Sequence, residues 1–351
     1  MCVATVALFI ALGAGWLADL SNPFWFTLMS LWLFAVILLA SFAAVRHAEA
    51  IAAKLGEPLG TLVLTLAVTG IEVTIIAAVM YGGKGNATLA RDAMFAVVMI
   101  VLNGMVGLSL LLGGLRYHEQ TYNLQGANAF LAVIVPISVL GLVLPNFTES
   151  SPGPTYSTLQ AIFLIAMSVM LYGVFLTIQN LRHREYFVDG AAAEAIPGAE
   201  AHSLAVHALL LVVYLLVVLL LAKQIAVPIN YGVQVMHAPR ALAGFLVSVL
   251  VLAPESLSAA RAALANQLQR SVNLLLGSVL ASISLTIPAV LAIGFITDQT
   301  IVLGLDAADT TLLVLTLAVG MLTFASARTN VLLGAVHLLL FVAYLMLIFE
   351  K

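Results

Sequence analysis

The chain has 351 residues, of which 63% are hydrophobic and 8% are charged, and its net charge is −3. Ordinary soluble proteins carry about 25% charged residues, so this composition excludes a soluble globular protein and indicates a polytopic, all-α membrane protein. The small net charge and the short basic runs argue against nucleic acid as a partner. The single cysteine, Cys2, excludes disulfides and thiolate metal clusters.

Apolar runs of roughly 17 to 25 residues, bounded by Pro, Gly, Asn or charged residues, predict about eleven transmembrane helices. We place them at 3–18, 24–45, 59–81, 92–114, 126–145, 157–179, 204–222, 241–262, 272–296, 309–325 and 328–349. Together they predict a single membrane domain over residues 1–351.

A polar segment, 181–203, separates the predicted helices into two halves, 24–180 and 204–351, with residues 1–22 as an extra first helix. Each half has five helices. Because five is odd, the two halves are expected to cross the bilayer in opposite orientations, as inverted repeats do. Of the 13 Lys and Arg residues, eight fall in loops on the side of the N-terminus. The positive-inside rule therefore predicts a cytoplasmic N-terminus, a cytoplasmic linker at 181–203 and an outside C-terminus.

Each half carries one carboxylate near the centre of its second predicted helix: Glu72 in the first half and Glu255 in the second. An ionisable group at that depth costs at least ~2.5 to 3.5 kcal/mol on insertion scales, so it indicates a functional site. Thr65 and Ser248 precede these glutamates by two helical turns and share their helix faces. The simpler alternative is a structural carboxylate bound to a neighbouring helix.

Further polar and helix-breaking residues surround the two glutamates. Thr69 adds an oxygen one turn before Glu72, while Gly70 and Pro254 are the residue types expected where a helix is interrupted and frees a carbonyl. The following helix of each half supplies more oxygen atoms, from Asn103 and Ser109 in the first half and from Ser278, Ser282, Ser284 and Thr286 in the second.

Carboxylate, hydroxyl, amide and carbonyl oxygens are ligands for Ca2+ or Na+, and the same carboxylates could carry protons. The pattern thus predicts an exchanger. Hydrogen bonds from Thr65, Thr69, Ser248 and Ser282 to carbonyls of their own helices are an equally ordinary use of such residues. For Ser109, Ser284 and Thr286 we favour packing or contact between helices over binding of a cation. We expect His207 and His337, in or near apolar runs, to bind neighbouring helices, with pH sensing as the alternative.

Three segments resemble one family. "APESLSAARAALANQLQRSVNLLLGSVLASISLTIP" resembles the second conserved repeat of the calcium/cation antiporter superfamily, in the branch of bacterial ChaA-type Ca2+/H+ antiporters, also described as sodium-potassium/proton antiporters. "VRHAEAIAAKLGEPLGTLVLTLAVTGIEVTIIAAVM" is similar to the first repeat of that branch and "ARTNVLLGAVHLLLFVAYLMLIFE" to its C-terminus. Where the family has an asparagine near Gly107, this chain has Asn103 one turn earlier.

The resemblance implies cation/proton exchange across the bacterial cytoplasmic (inner) membrane by alternating access, without a nucleotide or other cofactor. Glu72 and Glu255 fall on the carboxylates that ligate the cation and take up protons in the superfamily, and Ser278 falls on a Gly-Ser pair that lines the site. The expected cargo is Ca2+, with Na+ and K+ as further candidates, in exchange for H+.

Two alternatives to proton-coupled antiport stay open: a Na+/Ca2+ exchanger without proton coupling, and a cation channel that lines its pore with carboxylates. An enzyme is not expected, since an intramembrane protease needs paired aspartates or an H-E-x-x-H zinc helix and neither occurs within a predicted span. The ions and the lipid bilayer are the partners that the sequence indicates.

Overall fold

A computed structural model of the chain describes residues 1–56, 59–81, 86–187 and 203–350. Eleven helices lie in this part of the chain, in close agreement with the predicted number. They are α1 (Cys2–Trp16), α2 (Pro23–Leu55), α3 (Leu59–Tyr81), α4 (Leu89–Tyr117), α5 (Leu124–Leu142), α6 (Thr158–Arg182), α7 (Leu204–Gln234), α8 (Arg240–Leu264), α9 (Leu268–Thr297), α10 (Ala307–Thr323) and α11 (Val331–Phe349). Two short strands, β1 (Gln120–Thr121) and β2 (Arg328–Thr329), pair antiparallel.

Nine of these helices are long and apolar enough to cross a membrane. The other two, α1 and α10, are apolar but have only 15 and 17 residues. The chain is therefore a multi-pass membrane protein.

Side chains next to the helix starts explain where several helices begin. Asn22 accepts hydrogen bonds from the amides of Phe24 and Trp25, and Pro23 occupies the first position of α2, where a missing amide proton is not needed. Ser157 and Gln160 form a capping box at the start of α6. These caps satisfy amides that have no partner inside the helix.

Two helices extend well beyond the predicted boundaries. Helix α2 continues to Leu55 rather than ending at 45, because "RHAEAIAAKL" is rich in strong helix formers such as Ala, Glu and Lys. Helix α7 runs to Gln234 rather than 222 and passes through Pro228. A search for apolar runs underestimates the length of such helices, since each run is ended at the first charged residue.

Residue contacts divide the chain into two compact units. The first takes the described parts of Met1–Leu89 and Glu194–Pro254, and the second those of Ala90–Ala193 and Glu255–Lys351. Each unit therefore draws on both predicted halves of the chain. Of the predicted linker, residues 188–202 lie outside the described part.

In the first unit, α2 and α7 run antiparallel along their whole length. His47 near the end of α2 meets His207 at the start of α7, and Phe26 at the start of α2 meets Tyr231 near the end of α7. Asn230 on α7 donates to the carbonyl of Val79 near the end of α3, so α3 and α7 run in the same direction. This is the alternation expected of successive membrane crossings.

In the second unit, three interhelical loops meet at one end. Tyr117 at the end of α4 donates to the carbonyl of Leu264, the last residue of α8, at 2.8 Å, and Gln120 donates to Asn266 in the α8–α9 connection at 3.0 Å. The β1–β2 pair joins the α4–α5 loop to the α10–α11 loop. Tyr122 donates to the carbonyl oxygens of Thr323 and Ser326. Burial raises the pKa of the Tyr122 phenol above its usual range, so it remains a donor at neutral pH.

The starts of α4 and α10 and the end of α5 meet at the opposite end of the second unit. Arg91 pairs with Asp92 at 2.8 Å and donates to the carbonyl of Gly304 at 3.1 Å. The amide of Leu305 donates to the carbonyl of Leu142 at 2.9 Å. The short helix α10 therefore runs from one end of the unit to the other, as a membrane crossing does.

Candidate functional site

Glu72 lies in the middle of α3 and is almost completely buried, with 1% of its surface exposed. Thr69, one turn earlier, is buried as well, and Thr65, two turns earlier, is half-buried. The predicted helix break at Gly70 is wrong: α3 is a continuous α-helix, and Gly70 lies on its exposed side with open space where a side chain would be. A single glycine weakens a helix by about 1 kcal/mol, which does not interrupt it.

The predicted break at Pro254 is also wrong, because α8 continues through this proline. Proline cannot donate to the carbonyl four residues earlier, which in α8 belongs to Leu250, but its helical φ lets the chain continue in the same conformation. Ser248 donates to the carbonyl of Gly244 at 2.9 Å, within its own helix. A hydrogen bond to a carbonyl of its own helix is the alternative to cation binding that the sequence analysis gave for Ser248.

Glu255 is half-buried and accepts a hydrogen bond at Oε2 from the hydroxyl of Ser278 on α9. Both residues belong to the second unit, and both were predicted as site residues. This hydrogen bond joins two of the predicted ligands directly. A hydroxyl that donates to a carboxylate still has lone pairs for a cation, so the two side chains form one oxygen-rich group.

Of the three π-helical segments in the described residues, one ends α6 at Ile178–Arg182, and the other two lie in the helices that follow the glutamate helices. Helix α4 contains a π-helical segment at Met99–Met105, and α9 contains one at Ser282–Thr286. The two segments begin at the same interval of 27 residues after each glutamate, from 72 to 99 and from 255 to 282. Single π turns inside α-helices are frequent at functional sites. The matching spacing supports the predicted repeat of the two halves.

Asn103 lies inside the π segment of α4, fully buried, and its amide binds two other helices. Its Nδ2 donates to Thr316 of α10 at 2.7 Å, and its Oδ1 lies 3.2 Å from Nδ1 of His337 on α11. His337 also contacts Thr323 of α10, with 2.9 Å between Nε2 and Oγ1. The expectation that His337 binds neighbouring helices is confirmed.

His207 likewise binds a neighbouring helix, as expected. Its Nδ1 lies 3.0 Å from Nδ1 of His47 on α2, and both imidazoles are buried. The His47 ring stacks against Tyr214 of α7. These contacts belong to the first unit and tie α2 to α7.

Three of the remaining predicted residues lie in or next to the π segment of α9. Ser282, Ser284 and Thr286 are all buried within it. Ser109 is buried on α4, one turn or more past the π segment. Sequence reasoning missed Thr316, whose only signal is a hydroxyl in the middle of the apolar stretch of α10 that follows its polar first turn.

The family profile described as "Sodium/calcium exchanger protein" matches residues 25–181 and 206–350, within one or two residues of the predicted halves 24–180 and 204–351. A "Putative ionic transporter y4hA" of Sinorhizobium fredii is 45% identical over 312 residues, covering 88% of this chain and 85% of the relative. The "Sodium-potassium/proton antiporter ChaA" of Escherichia coli is 42% identical over 319 residues, covering 89% and 86%.

Solved structures share the fold at low sequence identity. The structure of native YfkE superposes with a TM-score of 0.75 at 16% identity and covers 100% of both chains. The crystal structure of the H+/Ca2+ exchanger CAX gives a TM-score of 0.67 at 16% identity, covering 98% of this chain and 88% of the other. Since one family profile matches both halves and two relatives exceed 40% identity, the chain belongs to the sodium/calcium exchanger family of cation antiporters.

Proposed function

We propose that this protein exports Ca2+ in exchange for H+ by alternating access, with Glu72 and Glu255 as the side chains that bind the cation and carry the protons. The observation that carries the proposal is the Glu255–Ser278 hydrogen bond, in which a half-buried carboxylate and a hydroxyl meet on two helices of the second unit. Cation and protons would use these carboxylates alternately, so one is released as the other binds. No cofactor takes part.

The matched positions of the two glutamates support an equal role for Glu72. It is buried at 1% exposure in an apolar helix, where a carboxylate is costly without a function. The π segments that follow both glutamates at the same interval supply buried oxygen atoms in each half: Asn103 in α4, and Ser282, Ser284 and Thr286 in α9. Such hard oxygen ligands suit Ca2+ and Na+.

Na+ and K+ are the second candidate cargo, because a relative that is 42% identical is named a sodium-potassium/proton antiporter. The proposed orientation has the N-terminus in the cytoplasm and the C-terminus outside, in the inner membrane. It follows from the excess of Lys and Arg on the side of the N-terminus.

The test uses inside-out vesicles with an imposed pH gradient, acidic inside, and an internal pH dye. Ca2+, Na+ and K+ are added separately. Collapse of the gradient with Ca2+ alone establishes Ca2+/H+ antiport, and collapse with Na+ or K+ establishes a broader cation/proton exchanger. If tracer Ca2+ enters in exchange for Na+ while the pH gradient persists, the protein is a Na+/Ca2+ exchanger. Non-saturable flux that follows the membrane potential identifies a channel.

Glutamate-to-glutamine substitutions test the two carboxylates. We expect Glu72→Gln and Glu255→Gln each to abolish exchange while the protein remains folded, because glutamine keeps the size of the side chain but carries neither the charge nor a titratable proton. Glu119→Gln, at an exposed carboxylate on the loop after α4, is the matched control and should retain exchange. Full exchange by either site variant would remove that glutamate from the mechanism.

A further inference from the structure

Four fully buried polar side chains link the π segment of α4 to α10 and α11, and they make no use of either glutamate. Asn103, Thr316, Thr323 and His337 each have 0% of their surface exposed. Buried polar groups must be paired to be tolerated, so the direction of each hydrogen bond can be worked out.

The orientation of the Asn103 amide determines which atom donates in each of these hydrogen bonds. Its Nδ2 donates to the hydroxyl of Thr316 at 2.7 Å, which leaves Oδ1 facing Nδ1 of His337 at 3.2 Å. An amide oxygen can only accept, so Nδ1 of His337 carries the proton. In the neutral imidazole Nε2 is then an acceptor, and Thr323 donates to it at 2.9 Å. The network is satisfied with His337 as the neutral Nδ1–H tautomer.

His337 reaches Asn103 because α4 and α11 approach closely at a pair of glycines. A Cβ added to Gly107 would lie 2.9 Å from the amide nitrogen of Leu338 and 3.0 Å from Cβ of His337. A Cβ added to Gly334 would lie 2.6 Å from the amide nitrogen of Leu111. Helix crossings with small residues at the contact bring backbones together in this way.

We propose that His337 is a positioning residue of the cation site, which fixes the orientation of the Asn103 amide within the π segment. The inference rests on the proposed function. A cation needs the oxygen of the amide, because the NH2 end would oppose it. In this arrangement His337 donates to Oδ1, while Thr316 accepts from Nδ2 and donates to Sδ of Met99 at 3.6 Å. A flipped amide would require the other tautomer of His337 and would cost Thr316 its contact with Met99, so the observed orientation is favoured and leaves Oδ1 a second lone pair for a ligand.

Paired substitutions of His337 separate the roles of its two nitrogens. Asparagine carries its amide nitrogen at the position of Nδ1 and can still donate to Asn103, whereas glutamine places its polar end at the position of Nε2, towards Thr323. Phenylalanine fills the space and makes neither hydrogen bond. Thr323→Val removes only the partner of Nε2.

The measurement is the half-saturating cation concentration and the maximal rate of exchange in proteoliposomes, using the cation that the wild type transports. Loss of a buried hydrogen bond to an amide ligand should raise the half-saturating concentration about tenfold in His337→Phe and His337→Gln. His337→Asn and Thr323→Val should stay within about threefold of the wild type. Thermal unfolding in detergent establishes that each variant is folded.

The inference fails if folded His337→Phe keeps the wild-type half-saturating concentration, or if His337→Gln restores it and His337→Asn does not. A fall in maximal rate alone, with unchanged half-saturation, also contradicts positioning. These outcomes are distinct from failure of the proposed function, in which wild-type protein itself exchanges none of the three cations for protons.

Discussion

At the scale of single residues, the two glutamates occupy matching sequence positions but have different neighbours. Ser278 follows Glu255 by 23 residues and binds it; at the same interval after Glu72 stands Phe95, whose ring packs against Tyr344 at 5.4 Å between centroids. The sequence predicted both glutamates and Ser278 as residues of one cation site, and the structure joins Glu255 to Ser278. It could not predict which hydroxyl binds which carboxylate, because that depends on the rotation of α9 about its axis.

Removing the Ser278 hydroxyl tests its contribution. Hydrogen bonds to charged groups contribute roughly 1.5 to 3 kcal/mol, so Ser278→Ala should raise the half-saturating cation concentration about tenfold or more, measured as exchange in proteoliposomes. Ser278→Thr keeps the hydroxyl and should remain closer to the wild type. Ser271→Ala, at a buried hydroxyl two helical turns earlier on the same helix, is the matched control. Equal affinities for Ser278→Ala and Ser271→Ala would show that the hydrogen bond has no role in binding.

At the scale of helices, sequence reasoning located the spans well and the helix irregularities poorly. It used the rule that glycine and proline interrupt helices, and therefore placed breaks at Gly70 and Pro254. The structure has continuous helices there and π segments at Met99–Met105 and Ser282–Thr286. A π turn has no strong composition signal; it depends on packing, such as the contacts of Asn103 with α10 and α11.

Because α4 and α11 approach closely at Gly334, we expect a single added methyl group there to lower the stability of the fold. In Gly334→Ala the added Cβ would lie 2.6 Å from the backbone of Leu111, which cannot move without shifting α4. Overpacking of this kind typically costs ~1–3 kcal/mol, so the midpoint of thermal unfolding in detergent should fall. Gly320→Ala is the matched control, because its added Cβ meets nothing within 4 Å, and it should unfold at the wild-type temperature or above. An unchanged midpoint for Gly334→Ala would mean that the crossing is looser than described.

At the scale of the whole molecule, the number of apolar helices and, within each unit, the alternation of their directions are what the sequence predicted best. Apolar length fixed the number of crossings, including α10, which at 17 residues falls short of a typical span yet connects both ends of the second unit. The grouping of residues from both halves into each compact unit was not predicted. Such grouping depends on contacts between distant segments, which hydropathy does not encode.

Labelling of introduced cysteines tests this alternation and the orientation together. In a Cys2→Ser background, Glu119→Cys lies in the loop after α4, whereas Glu149→Cys and Gln299→Cys lie in loops at the opposite end of the second unit. With a membrane-impermeant maleimide, Glu119→Cys should react only in inside-out vesicles and the other two only in right-side-out vesicles. The reverse pattern would invert the proposed orientation, and labelling of all three from one side would contradict the number of crossings.

The network around Asn103 also has a consequence for biosynthesis. Two of its four members, Asn103 and His337, are 234 residues apart in the chain, and the paired strands β1 and β2 are 209 residues apart. Helix α4 is therefore synthesised and inserted long before α11 leaves the ribosome. Until then the Asn103 amide stands in an apolar helix without its imidazole donor, which costs free energy. The second unit thus finishes folding only after translation of α11, and a nascent chain stalled before residue 331 would present an unfinished unit to the proteases of the membrane.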